Sequence, residues 1–127
     1  MNKTIQLILR IIIAIILVQT LRYKFTAHPD SVYIFTKVGL EPYGRIAIGV
    51  FELIAAILIL IPKTIWLGAL LTLGIISGAI FMHLTDLGIE INGDGGMVFY
   101  MALVVFILSL VILWINWKSL PFIVKNL

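Results

Sequence analysis

Four apolar runs, each about as long as a bilayer is thick, constrain this chain of 127 residues more than any other feature. About 20 apolar residues cross a membrane as a helix. The runs cover roughly residues 5–22, 44–61, 64–85 and 97–116, which leaves only loops and short ends. Of the residues, 62% are apolar and 12% are charged, and the mean hydropathy is +1.19. A soluble domain is roughly half apolar and one quarter charged. A soluble globular enzyme is therefore excluded. So is a disordered chain, which stays unfolded only when it has little apolar surface to bury. The expected architecture is all-α: a polytopic membrane protein with a four-transmembrane-helix bundle, one domain over residues 1–127, and a short interfacial helix in the first outer loop.

Charge placement supports this. The formal net charge is +3 and the pI about 9.4. The basic residues sit singly at the ends of apolar runs, as membrane anchors do. They form no basic patch, so no nucleic-acid partner is expected. The first run starts after Lys3 and could be a signal peptide. It is longer than a usual h-region, however, and Arg22, Tyr23 and Lys24 follow it in place of a cleavage site. It reads as a retained helix. Four spans put both termini on one side with Lys3, Lys63, Lys118 and Lys125; Arg22, Lys24, Lys37 and the boundary residue Arg45 fall opposite. The third loop carries no Lys or Arg. The expected placement is the bacterial cytoplasmic membrane with both termini cytoplasmic.

The first connection, residues 25–42, holds an apolar stripe of Val32, Phe35 and Val38. Asp30 or Ser31 can cap a short surface helix there, and Gly39 can end it. The acidic stretch Asp86–Gly96 ends Asn92-Gly-Asp-Gly-Gly and reads as a turn. Trp114 and Trp117 close the fourth span as an aromatic belt. There is no cysteine, hence no thiolate and no iron–sulfur ligand. With two histidines and no ligand spacing, no metal site is expected.

An ionisable group inside a bilayer is costly unless paired, so each is a functional candidate. There are four: Arg10, Arg45, Glu52 and His83. Glu52 lies mid-span on a small, polar face with Arg45, Gly49 and Ala56, which should point into the bundle. Arg10 is its expected partner, giving either a proton-active or ligand-binding carboxylate or a structural ion pair. His83 shares a face with Gly68, Thr72, Ala79 and Asp86. With Arg45 at similar depth and His28 in the first loop, it could line a pocket for a quinone carbonyl or pass a proton. The alternative is a satisfied interfacial histidine. Gly74 and Gly78 form a GxxxG, expected to pack one helix within the bundle or to serve as a dimer face. Gln19, half a turn away from Arg10, must face a different neighbour.

The combination resembles the DoxX family of small four-helix membrane proteins. The residues that carry the resemblance are an arginine in the first span, a longish first outer loop, Glu52 followed by Ala55-Ala56 and Leu/Ile, and Gly68-Ala69 through Met82-His83. The matching positions are Arg10, Lys24, Phe25, Glu41, Glu52, Gly68, Ala79 and His83. The resemblance implies a link to membrane redox complexes. The family is named after a subunit of a thiosulfate:quinone oxidoreductase, and such relatives often work with thiol chemistry on a partner. Lacking cysteine, this chain would need that partner protein.

The leading expectation is an accessory subunit of a membrane redox system. It would bind a quinone or lipid head group through Glu52, Arg10 and Arg45, with His83 exchanging protons. The rivals are a non-enzymatic assembly component, an oligomeric small-molecule or proton-coupled carrier, and a lipid-modifying isomerase. The expected partners are the lipid bilayer, a redox protein and further copies of the chain.

Overall fold

The computed structural model describes residues 2–117 and is helical throughout its spans. Helix α1 runs Lys3–Phe25, α2 Pro29–Lys37, α3 Tyr43–Leu60, α4 Ile65–Met82 and α5 Met97–Ile115. A 3-10 turn, Pro62–Thr64, joins α3 to α4, and α4 continues into a π-helical turn, His83–Leu87. Four segments are long and apolar enough to cross a membrane: Lys3–Phe25, Tyr43–Leu60, Pro62–Leu87 and Met97–Ile115. Lys118 and Lys125, counted in the charge balance, lie outside the described residues.

The spans form a ring in the order α1, α3, α4, α5, with α5 returning to α1. Ile13, Leu17, Ile59, Val105 and Ile112 fill its centre, each with almost no exposed surface. The outside is as apolar as the inside: Ile15 is 61% exposed, Ile107 58% and Phe81 67%. Water does not tolerate apolar surface on that scale. Hydrocarbon does, and helices satisfy their own backbone groups within it. This is a multi-pass membrane protein in contact with lipid.

Helix α2 packs against α1, α3 and the π-helical turn. Its cap is neither Asp30 nor Ser31, as expected, but His28, whose Nδ1 accepts a hydrogen bond from the Asp30 N–H. Pro29 takes the first helical position, where its missing N–H costs nothing. The helix ends at Lys37, and Gly39 follows at φ +78°. Ser31 and Phe35 are its buried residues, with Val32 and Val38 half-buried beside them.

The 88–96 loop is tied by one side chain. Asp94 Oδ1 accepts from the N–H of Ile91 and Gly96, and Oδ2 accepts from Val98 in the first turn of α5. Burial alone would raise this carboxyl's pKa. The donated backbone hydrogen bonds outweigh it and hold the group below the usual aspartate value. Asn92 reaches across to Asp30 at 2.9 Å, linking the loop to α2.

Candidate functional site

The polar residues within the spans gather mostly between α1 and α3. Glu52 is 3% exposed and sits on a buried face with Arg45, Gly49 and Ala56, as its helical spacing requires. Its partner is not Arg10. Glu52 Oε1 is 2.8 Å from Lys24 Nζ, and Thr20 Oγ1 donates to Oε2 at 2.7 Å.

The reason lies in helix geometry. Helical side chains lean toward their own N-terminus. In the antiparallel α1–α3 pair, Arg10 is level with Ile59, about 10 Å along the axis from Glu52. Arg10 leans toward the N-terminal end of α1, and Glu52 leans toward the opposite end of the bundle. The two diverge. Lys24 leans down α1 as Glu52 leans up α3, and these two converge.

Arg10 has a different task. Pro62 ends α3 and has no N–H, so the last carbonyls of that helix lose their usual donors. Arg10 donates through Nε to the Ile59 carbonyl at 2.8 Å and through Nη2 to the Leu60 carbonyl at 2.9 Å. The Thr64 hydroxyl serves the Leu58 carbonyl at 2.7 Å. The buried guanidinium is thus a C-terminal cap supplied by another helix.

Arg45 lies one turn beyond Gly49 toward the α2 end. Its Nε meets both carboxylate oxygens of Glu41, at 2.9 and 3.0 Å, and its Nη1 donates to the Lys24 carbonyl. Lys24 therefore joins both charged groups: its ammonium holds Glu52 and its carbonyl holds Arg45. Phe25 packs over Gly49, where an added Cβ would come within 2.7 Å of the ring. The Lys24 and Glu41 side chains keep 15% and 19% of their surface exposed, so the cluster reaches the α2 end.

His83 is 3% exposed and stands apart from this cluster. Its Nδ1 lies 2.8 Å from the Gly88 carbonyl, which can only accept, so Nδ1 carries the proton. The ring packs edge-on against Phe99 at 5.4 Å. Of its expected face, Gly68 and Thr72 are buried but Asp86 is exposed. The π-helical turn starts at His83 and breaks the register that would align them. His28 caps α2 and packs against Tyr23 at 4.6 Å. The two histidines pack against different rings.

Among the described residues, Gly74 and Gly78 do not pack against a neighbouring helix; an added Cβ at either would meet nothing within 4 Å. The close approach occurs at Gly68, where a Cβ would lie 2.5 Å from the backbone nitrogen of Ile59.

Sequence reasoning did not assign Lys24, Thr20 and Glu41 as partners of the buried charges. The signal available was the lean of the side chains, which pairs a cation near the C-terminal end of one helix with a mid-span anion on an antiparallel neighbour. Lys24, Glu41, Glu52, Phe25 and Gly68 all lie at contacts of α3.

No curated protein and no solved structure matches the chain. The DoxX family model matches residues 5–84, which spans α1 through α4 and contains every charged group of the α1–α3 cluster. The chain belongs to the DoxX family.

Proposed function

We propose that this chain is a non-enzymatic accessory subunit that supports a membrane redox complex, with its intramembrane charges serving to hold the bundle in one shape. A single observation carries the reading: the charged side chains buried between α1 and α3 are matched within the chain. Lys24 meets Glu52, Arg45 meets Glu41, and Arg10 meets the α3 carbonyls. Groups committed in this way specify how helices dock. The redox association is what the family resemblance implies, and a partner would supply the thiols that this chain lacks. The Lys- and Arg-free 86–96 loop favours cytoplasmic termini in a bacterial cytoplasmic membrane.

One observation favours a second reading, in which the cluster binds a quinone or lipid head group. The Lys24 ammonium keeps 15% of its side chain exposed beside Glu52, so a polar head group arriving from the α2 end would meet a cation first. Native mass spectrometry in mild detergent, with added quinone and lipid extract, separates the two. The accessory reading expects no stoichiometric quinone and a destabilised Glu52→Gln variant. A stoichiometric quinone that is lost in a stably folded Glu52→Gln variant would replace it with the second.

A further inference from the structure

Gln19 is the residue that neither reading uses. It is exposed on α1, six residues or about 9 Å inside the Phe25 end of the helix, and so within the hydrocarbon. Its carboxamide has no hydrogen-bond partner among the described residues. Hydrocarbon offers it none either, and an unpaired amide there is costly.

The neighbours of Gln19 on that face follow a pattern. Ile5, Ile8, Ile12, Ile15 and Gln19 recur at spacings of three, four, three and four residues. The four isoleucines are 49%, 50%, 38% and 61% exposed. Such spacing lays one seam along a helix that crosses a neighbour at a shallow left-handed angle, and a single polar residue in such a seam sets its register. Beside the seam runs an open groove of about 450 Å³, lined by Ile11, Ala14, Ile15, Val18, Gln19 and Leu60 of α3.

We propose that this face of α1 is the interface of a parallel homodimer, in which the two Gln19 carboxamides hydrogen-bond each other across a twofold axis along the membrane normal. The occupant is a second copy for a geometric reason. For copies inserted in the same orientation, a twofold axis along the normal brings Gln19 to Gln19 at one depth. A carboxamide carries both donors and an acceptor, so it satisfies its own copy. An unrelated helix would need a matching polar group at that depth. The open Gly74/Gly78 face of α4 permits close approach but presents no unpaired amide.

The chain has no cysteine, so a single introduced thiol reports on one face at a time. In lipid vesicles at low protein density, oxidation with copper phenanthroline should link Ile15→Cys into a disulfide dimer and leave Ser77→Cys on α4 monomeric. Adding Gln19→Leu to Ile15→Cys should cut the dimer yield about fivefold, and Gln19→Asn should retain more of it. Gln19 faces outward, so neither change should disturb the bundle, which thermal unfolding checks. Cross-linking of Ser77→Cys alone, no cross-link at either site, or a yield indifferent to Gln19→Leu would each overturn the proposal.

Discussion

Lys24 on α1 and Glu52 on α3 form a 2.8 Å ion pair in which the anion is buried and the cation is near the α2 end of the bundle. The two ends of the pair are therefore unequal. Lys24→Met leaves a carboxylate in low dielectric with only the Thr20 hydroxyl, and should cost about 3 kcal/mol. Glu52→Gln should cost less, about 1 kcal/mol, because the lysine stem can carry its charge to the interface and Thr20 can still donate to the amide. The double variant Lys24→Met/Glu52→Leu should recover most of the loss. Denaturant titration of the three variants in detergent checks this order; Glu52→Gln being the worst would contradict it.

Arg10 should prove as important to the α3–α4 connection as to the α1–α3 contact. Arg10→Leu removes both hydrogen bonds to the Ile59 and Leu60 carbonyls and should cost about 2–3 kcal/mol. Amide exchange should quicken around residues 61–65 while the Glu52 level stays protected. Arg10→Lys should recover only part, since an ammonium lacks the fork that spans two carbonyls.

The glycines of α4 divide into two kinds. Gly68→Ala places a Cβ against the Ile59 backbone, which cannot move aside, so α3 and α4 must separate and stability should drop by several kcal/mol. Gly74→Ala meets open space and should gain up to about 1 kcal/mol from helix propensity. Paired thermal melts decide the matter; equal losses would contradict the placement of α4.

Asp94 should make the 88–96 loop acid-sensitive. Its pKa is lowered in the folded chain, so the carboxylate stabilises the loop above the unfolded pKa near 3.8. That contribution is lost as pH falls through the lower folded value. Exchange of the Val98 and Gly96 amides should accelerate in that acid range, and Asp94→Asn should flatten the profile. A profile unchanged by the substitution would assign the acid response to another group.

Ser109 is fully buried on α5, and its hydroxyl has no partner among the described residues. Ser109→Ala should therefore be neutral or stabilising by up to about 1 kcal/mol, since it removes an unsatisfied group of similar size. A loss above that in thermal unfolding would reveal a hydrogen bond to water or to a bound molecule.

Much of this was legible in the chain itself. Four runs near 20 apolar residues admit only membrane helices, because helices alone satisfy their backbone within so short a span. Their periodicity placed Glu52, Arg45, Gly49 and Ala56 on one buried face, since a face depends only on spacing along one helix. Partner choice is a different kind of fact. Whether Glu52 meets Arg10 or Lys24 depends on the register between α1 and α3 and on which way each side chain leans, and no single helix encodes that. The same holds for the glycines. Both Gly68 and the Gly74/Gly78 pair satisfy the rule of small residues for close packing, yet of these only Gly68 faces a neighbouring helix among the described residues. Sequence determined which groups leave the lipid; the packing of α1, α3 and α4 decided which groups they meet.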